Sequence, residues 1–241
     1  MRWFTKFGKC IYTSPSGYKV YDNILYRWLT LDSDVLQTVI NKIMIKSPIL
    51  YYVPALTLMT RNQPEDACIL GLGGAGVVHG LSSFPFSITA VEISSEVIDI
   101  AKKYFKIDSL SNLELVHQPA ELYLEQNTKQ FGHIMVDLYN AQSFPPECNS
   151  THFFLQCKNN LKENGFLAVN LANSKEQYAI FQLIKEHFTN TMVIPVEKCA
   201  NMVIIASNHQ QKDEFLDAIQ QCKKIKKISL MNYWGYVAKL R

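Results

Sequence analysis

The sequence predicts an α/β fold in which a mostly parallel sheet carries helices on both faces. From residue 67 onward, short runs rich in β-branched residues alternate with runs of helical periodicity, which is the pattern of consecutive strand and helix units. The predicted strands, among them CIL, ITAV and IMV, are almost entirely apolar. Strands that are covered on both faces have this composition because neither face meets water.

The last two predicted strands indicate the kind of sheet. The runs TMVIPV and NMVIIA are separated only by residues 197–200, which are too few for a crossover helix, so the two strands should pair antiparallel. A dinucleotide-binding Rossmann domain normally continues with parallel strands. A sheet of seven strands whose last strand is reversed is the layout of S-adenosylmethionine-dependent transferases. We therefore predict a seven-stranded, methyltransferase-like Rossmann sheet.

The elements follow from the same alternation. The predicted strands are 67–72, 87–93, 113–118, 132–138, 165–171, 191–197 and 201–207. The predicted helices are 75–83, 95–105, 120–127, 151–161, 175–188 and 212–226. A further helix is predicted over 50–61, because Pro54 suits the first turn of a helix.

The N-terminal part has a different pattern. Around the turn Ser14-Pro15-Ser16-Gly17, β-branched and aromatic residues dominate the segments CIYT and YKVYDNILYRWLTL. We predict a small antiparallel β domain over residues 1–48, followed by a nucleoside-binding catalytic domain over residues 49–241.

Composition limits the class of protein. Of the 241 residues, 48% are hydrophobic and 19% are charged, which is enough to bury a full core. The start has no signal-peptide run and the most apolar later segment is interrupted by Lys46, Pro48 and Pro54, so we expect a cytoplasmic protein without a membrane span. The net charge of +3 is too small to argue for nucleic acid, and the run KKIKK at 223–227 is expected to be a solvated helix end rather than a phosphate-binding patch. The cysteines and histidines show no metal-ligand spacing, so no metal is expected.

The stretch ILGLGGAGVV contains the strongest local motif. Gly71, Gly73 and Gly76 fit the GxGxxG pattern, in which glycines permit positive φ angles and a ligand can approach the N–H groups that begin a helix. Dinucleotides and sulfonium nucleosides both bind to such turns, and a tight turn without a ligand can also produce the pattern. The reversed last strand favours the sulfonium nucleoside over the nicotinamide dinucleotide.

Two acidic residues follow predicted strands. Glu92 ends the second strand, where a carboxylate can accept both ribose hydroxyls, although it could instead cap the helix that begins near Ser95. Asp137 ends the fourth strand, and it is either a helix cap or a functional group. A carboxylate at that edge can hold an ammonium and accept its proton, which makes Asp137 the candidate catalytic base, with Tyr139 and Asn140 lining the acceptor pocket.

The chain resembles the polyamine aminopropyltransferase (spermidine synthase) family over roughly residues 18–207. The segments that carry the resemblance are YKVYDNILYRWLTLD, ILGLGGAGVV, ITAVEISSEVIDIAKKYF, HIMVDLYN, LKENGFLAVN and NMVIIA. The resemblance implies that the chain binds decarboxylated S-adenosylmethionine or its product methylthioadenosine, usually as a homodimer. It also implies that Glu92 binds the ribose and that Asp137 deprotonates an amine.

By position, the resemblance implies further contacts with the nucleoside. Gln37 would reach the nucleoside and Pro145 would shape the adenine pocket. The acid that receives the adenine amino group in the family aligns with Pro119, so Gln118, Ala120 or Glu121 would have to substitute for it.

The chain also departs from the family pattern. Gly74 replaces a polyamine-contacting Asp, Leu50-Tyr51 replaces His-Glu, and Asn140 replaces the second acid after the fourth strand. Buried ammonium groups need acidic partners, so these changes affect the usual putrescine pocket. Three functions are therefore considered: aminopropyl transfer to putrescine or another amine, methyl transfer from intact S-adenosylmethionine to an unknown acceptor, and a non-enzymatic nucleoside-binding relative.

Overall fold

The computed structural model describes residues 7–31, 35–138, 143–209 and 211–241. Two sheets organise them, a four-stranded antiparallel sheet in the N-terminal part and a nine-stranded mixed sheet in the remainder. The prediction of an α/β protein preceded by a small antiparallel sheet is confirmed.

The small sheet forms where the sequence predicts it. Its strands pair in chain order and are β1 (Lys9–Thr13), β2 (Tyr18–Asp22), β3 (Tyr26–Leu31) and β4 (Val35–Asn41). At the first turn, Gly17 has φ 90° and the Tyr18 amide donates to the Ser14 hydroxyl at 3.0 Å. In the pairing of β3 with β4, Leu29 faces Thr38 and Thr30 faces Leu36, so Gln37 is the extra residue of a β-bulge.

The predicted helix over 50–61 is wrong in detail. The segment forms two short helices, α1 (Val53–Leu56) and α2 (Leu58–Asn62), with Thr57 between them. The Thr57 hydroxyl donates to the Val53 carbonyl oxygen at 2.8 Å. Such local side-chain bonds compete with regular helix bonding and bend the chain, which explains the break.

The large sheet contains the predicted βα units. Its first seven strands are β5 (Ala67–Leu70), β6 (Ile88–Glu92), β7 (Leu113–His117), β8 (Phe131–Val136), β9 (Leu161–Leu171), β10 (Asn190–Pro195) and β11 (Met202–Ser207). Strands β5 to β9 are parallel, and β11 lies between β9 and β10 and is antiparallel to both. The predicted antiparallel pairing of the last two strands is confirmed.

The sheet has nine strands rather than seven. Helix α8 ends at Gln220, so the predicted helix 212–226 is too long. The chain then forms a hairpin of β12 (Ile225–Met231) and β13 (Gly235–Leu240), and β13 pairs parallel with β10. The lysine run at 223–227 is therefore not a helix end. It enters an edge strand in which two consecutive exposed lysines, Lys226 and Lys227, separate the packed Ile225 and Ile228. This spacing lacks the period-2 alternation of a regular strand, so no strand signal is present in the sequence there.

Helices cover both faces of the sheet. They are α3 (Gly76–Leu81), α4 (Ser95–Phe105), α5 (Ala120–Gln126), α6 (Thr151–Asn159), α7 (Gln177–His187) and α8 (Lys212–Gln220). Apolar residues of α3, α4 and α8 share one buried cluster with α1 and α2, and those of α5, α6 and α7 share another. Within the described residues, none of the helices has the length and apolar character needed to cross a membrane.

The two sheets share part of their core. Trp28 and Val39 of the small sheet belong to the same buried cluster as α1, α3 and α4. The Thr38 side chain of β4 touches the glycine loop after β5. The domain boundary between residues 48 and 49 stays a prediction. The small sheet packs against the glycine loop, the candidate ligand-binding loop of the large sheet.

Candidate functional site

The candidate site lies at the carboxyl edge of the parallel strands. The glycine loop follows β5, Glu92 ends β6 and Asp137 follows β8. Strand β5 pairs with β6 on one side and with β8 on the other, so the connections diverge here. A ligand crevice in an open α/β sheet forms at such a switch point.

Backbone geometry explains the glycines of the loop. Gly71 has φ 95°, and a Cβ atom there would lie 2.5 Å from the Asp137 carbonyl oxygen. Gly73 has φ 50°, and the Gly74 amide donates to the Thr38 hydroxyl at 3.0 Å. Gly76 begins α3, and a Cβ there would make only an ordinary contact with Thr38 at 3.5 Å. The first two glycines are therefore required by conformation, whereas Gly76 is not.

Glu92 connects the glycine loop to the next βα turn. Its Oε2 accepts the Leu72 amide at 2.9 Å, and its Oε1 accepts the Ser94 amide at 3.0 Å. The cap of α4 is Ser94, whose hydroxyl accepts the Val97 amide, so Glu92 is not the helix cap. Each carboxylate oxygen has a second lone pair, and Glu92 could accept hydroxyl groups of a ribose while both backbone contacts remain.

Tyr18 of the small sheet approaches the same carboxylate. Burial and the negative charges of Glu92 and Glu96 raise the pKa of Tyr18, and a hydrogen bond with Ser94 partly offsets them. The Tyr18 hydroxyl is therefore a stable donor next to the expected ribose position. Together with Thr38, it means that the small sheet contributes side chains to the site.

Asp137 is held on both carboxylate oxygens. Oδ2 accepts the Tyr52 hydroxyl at 2.8 Å, and Oδ1 accepts the Asn170 side-chain amide at 2.8 Å. The residue is partly exposed, yet burial of the carboxyl group raises its pKa, and the two hydrogen bonds partly offset this. Burial, followed by the charge of Asp137, raises the pKa of Tyr52 well above its usual value, so Tyr52 remains a donor.

A second amide extends this contact to the reversed strand. The Asn201 side chain donates from Nδ2 to Asn170 Oδ1 at 2.9 Å. Asn201 immediately precedes β11, and its carbonyl oxygen accepts the Val196 amide at 3.0 Å. A continuous series of side-chain hydrogen bonds thus runs from Asn201 through Asn170 and Asp137 to Tyr52.

The remaining predicted site residues lie around this edge. Gln37 occupies the bulge of β4, beside Thr38. Gln118 follows β7 and donates to Gln126 at 2.8 Å. Ala120 is buried at the start of α5, and Pro145 precedes a short 3-10 turn. Their assignment to the nucleoside stays a prediction. Tyr139 and Asn140 lie outside the described residues.

Sequence reasoning missed Tyr52, Asn170, Asn201 and Thr38. Asn170 had a usable signal, since it is a polar residue within the buried run GFLAVNL that ends β9. Tyr52 had no such signal. It lies one position after the Leu50-Tyr51 pair that replaces His-Glu of the family pattern, so the resemblance does not point to it. Thr38 is apparent only once the small sheet is folded against the loop.

Two cavities differ in size and position. A small one beside Asn170 is lined also by Leu138, Phe144 and Glu176. A larger one of about 540 Å³ lies at the opposite edge, where the strands begin, and includes Asp66, Asn112, Glu114 and Lys129. No cluster of three or more His, Cys, Asp or Glu residues suited to a metal is found within the described residues.

Sequence comparison indicates the family of the chain. The sequence model of the spermine/spermidine synthase domain matches residues 51–214. A polyamine aminopropyltransferase of Buchnera aphidicola is 25% identical over 183 residues, which cover 71% of this chain and 63% of that enzyme. One from Neisseria meningitidis is 24% identical over 203 residues, covering 81% and 77% respectively. The chain thus aligns with less than two thirds of the Buchnera relative.

Solved structures share the fold. The spermidine synthase of Thermotoga maritima superposes with a TM-score of 0.70 at 17% identity, covering 93% of this chain and 81% of that chain. A probable spermidine synthase of Corynebacterium glutamicum gives 0.75 at 15% identity, covering 97% and 91%. Human methyltransferase-like protein 13 gives 0.57 at 21% identity, covering 74% and 88%. These likenesses confirm the methyltransferase-like architecture.

Proposed function

The chain belongs to the spermine/spermidine synthase family, and on this premise we propose that it transfers an aminopropyl group from decarboxylated S-adenosylmethionine to putrescine or another amine. The observation that carries the proposal is the position of Asp137. A buried carboxylate held by two donors faces the switch point, beside a glycine loop tied to Glu92. The similar relatives from Buchnera and Neisseria, both polyamine aminopropyltransferases, support the same reaction.

The residues divide into two groups by role. In the proposal, the glycine loop and Glu92 bind the nucleoside, and Tyr18 and Thr38 support them from the small sheet. Gln37, Gln118, Ala120 and Pro145 are proposed to line the nucleoside pocket. Asp137 is the proposed catalytic base, and Tyr139 and Asn140 are proposed to contact the amine.

The chemistry is a nucleophilic substitution. The sulfonium co-substrate supplies a carbon that is activated by its positively charged sulfur. The amine arrives as an ammonium ion and transfers a proton to Asp137, which frees the nitrogen lone pair. The nitrogen then forms a bond with that carbon, the carbon–sulfur bond breaks, and methylthioadenosine leaves with the electron pair on sulfur.

The raised pKa of Asp137 suits this role. A carboxylate with a raised pKa is a stronger base than an exposed aspartate, and the hydrogen bonds from Asn170 and Tyr52 favour its ionised form and so partly offset the effect of burial. Because Tyr52 donates to one carboxylate oxygen and Asn170 donates to the other, the two donors also fix the orientation of the carboxylate. Asp137 would thereby present a defined lone pair to the ammonium group.

Methyl transfer and loss of catalysis are less favoured alternatives. The family to which the chain belongs and its two similar relatives argue for aminopropyl transfer. We retain the acceptor as an open part of the proposal, since Gly74 replaces an Asp and Leu50-Tyr51 replaces the His-Glu pair that the family resemblance would place there. We also propose a homodimer and a cytoplasmic location, and expect no nucleic-acid or membrane partner.

The deciding experiment is calorimetric titration of the protein with four ligands in one buffer. They are S-adenosylmethionine, its decarboxylated form, methylthioadenosine and NAD. We expect the decarboxylated form and methylthioadenosine to bind most tightly, and a mass-spectrometric screen of amines should then detect an aminopropyl adduct. Preference for intact S-adenosylmethionine would redirect the proposal to methyl transfer, and absence of binding by all four would overturn it.

A further inference from the structure

The reversed strand β11 brings an unexpected residue to the site. Because β11 runs antiparallel to β9, its first residues, rather than its last, lie at the edge where β9 ends. Val203 pairs with Asn170, and Asn201 is two positions earlier on the same side of the strand. Asn201 therefore reaches Asn170 diagonally, at 2.9 Å between Nδ2 and Oδ1.

We propose that Asn201 is a positioning residue for Asp137, because it locks the Asn170 amide in the one orientation that donates to the carboxylate. A carboxylate can only accept hydrogen bonds, so Asn170 must turn its NH₂ group toward Asp137. Its carbonyl oxygen then faces Asn201, which must supply an NH₂ group of its own. The inference rests on the proposed role of Asp137 as base and concerns the control of that group.

The backbone holds Asn201 in place for this task. Lys198 has φ 69° in the connection between β10 and β11, and the Val196 amide donates to the Asn201 carbonyl oxygen at 3.0 Å. The turn is thus closed immediately before the strand begins. Asn170 is only 8% exposed, so a mispaired amide there could not be corrected by bulk water.

Other ionisable groups near Asp137 must be considered in any titration. Tyr52 contacts the carboxylate directly, and the Cys199 thiol acts on Tyr52 electrostatically. The Lys198 ammonium lies 5.6 Å from the centre of the Tyr51 ring, and Glu176 lines the cavity beside Asn170. These groups stay unchanged in the variants below, so a difference between variants reports on the amides.

The test is a double-mutant cycle of Asn201→Leu and Asn170→Leu, which removes hydrogen-bonding groups without adding charge. The titration midpoint of the Asp137 carboxyl carbon is measured by NMR, with Asp137→Asn identifying the resonance. Loss of the Asn170 donor should raise the midpoint by about one pH unit, and loss of Asn201 alone by a smaller amount. The double variant should match Asn170→Leu, because Asn201 acts only through Asn170.

The matched control is Asn208→Leu, just beyond the other end of β11. Like Asn201, Asn208 donates from its side-chain amide, but its acceptors are the backbone carbonyls of Lys158 and Lys162. It lies at the sheet edge remote from Asp137. It should leave the midpoint unchanged. Additive shifts in the cycle, or no shift in folded Asn201→Leu, would overturn the inference. If Asn170→Leu does not fold, the Asp137 titration midpoints of Asn201→Leu and Asn208→Leu are compared instead. A raised midpoint in Asn201→Leu alone supports the inference, and equal midpoints overturn it.

A kinetic readout separates this inference from the proposed function. In a working transfer assay, the acid limb of the pH profile of kcat/KM, which reports the free enzyme, should move upward in Asn201→Leu by about the same amount as the NMR midpoint. If no aminopropyl transfer is found for any variant, the proposed function fails. The NMR cycle still tests the positioning role, since it requires no turnover.

Discussion

The two edges of the nine-stranded sheet use their polar side chains differently. At the amino edge, which has the larger cavity, Glu114 keeps 57% of its side chain exposed while it accepts from Lys129 and Thr89, and Asn112 donates to the Phe84 and Phe86 carbonyls. At the carboxyl edge, Asp137 is held by Tyr52 and Asn170, which are 85 and 33 positions away in the chain.

The difference shows that cavity volume and a perturbed carboxylate point to opposite edges of this sheet. At the large cavity, Glu114 accepts both of its side-chain contacts on one carboxylate oxygen and remains largely exposed. The carboxyl edge brings groups from separate segments onto one carboxylate and raises its pKa by burial. Carboxylates with perturbed pKa values are enriched at functional sites, which is the reason that Asp137 rather than Glu114 is the candidate base.

The largest expected effect is on catalytic activity, which should depend on the carboxylate at the carboxyl edge and not on the one at the amino edge. Asp137→Asn should lower kcat for aminopropyl transfer by about 10²- to 10⁴-fold, because the amine would no longer have a base. Methylthioadenosine binding, measured by calorimetry, should persist. Glu114→Gln at the amino edge should retain full activity. Undiminished transfer by Asp137→Asn would remove Asp137 from its role and weaken the contrast between the edges.

A backbone substitution should produce the next largest effect. Gly71→Ala should lower the free energy of unfolding by about 2–4 kcal/mol, because the new Cβ would meet the Asp137 carbonyl oxygen at a positive φ. Gly80→Ala, within α3, is the control, since its Cβ would make only an ordinary 3.8 Å contact. Urea denaturation compares them. Equal stability of the two variants would show that the loop yields more easily than this geometry implies.

Glu92→Gln should have a moderate effect on binding. Glutamine has one carbonyl oxygen and no charge, so it cannot accept from Leu72, Ser94 and a ribose as the carboxylate can. We expect nucleoside affinity to fall about 10- to 100-fold in calorimetry. Glu114→Gln supplies the control at the other edge. An unchanged affinity would indicate that Glu92 serves only the backbone of the two turns.

The smallest effect concerns stability and pH. The folded-state pKa of Asp137 is raised above the ordinary carboxyl value, so the protonated form favours folding. Its contribution is present below the unfolded pKa of about 3.9 and is lost as the pH rises through the raised folded pKa. Asp137→Asn does not titrate, and Tyr52 can turn its hydroxyl to accept from the new amide. The Tm of this variant minus that of the original protein should therefore increase as the pH rises through this window. A Tm difference that stays constant or falls with pH would contradict a raised pKa of Asp137 in the folded state.

The sequence predicts the parts of the molecule that depend on local pattern. Apolar runs, the glycine turn and the short 197–200 connection were sufficient for the parallel strands and the reversed strand. Glu92 and Asp137 were found because each immediately ends or follows such a run. The terminal hairpin was missed because helix α8 and the lysine run merge into one apparent helical pattern.

The partners of Asp137 could not be predicted in the same way. Tyr52 precedes α1, Asn170 lies in β9 and Asn201 precedes β11, and nothing in their local sequence relates one to another. Their proximity depends on the order of strands in the sheet and on the register of β11 against β9. Periodicity determines which face a side chain occupies but not which distant residue it meets.

The pairing of β13 with β10 has a consequence for synthesis of the chain on the ribosome. Strand β10 has β11 on one side, and its other side is completed only by β13, which is made after β11, α8 and β12. While the nascent chain is incomplete, β10 therefore presents an open hydrogen-bonding edge next to buried residues such as Met192 and Val193. Open edges of this kind recruit other strands. During the interval before β13 docks, this edge of the growing protein is exposed to misassembly, and a chaperone that covers β10 would protect it.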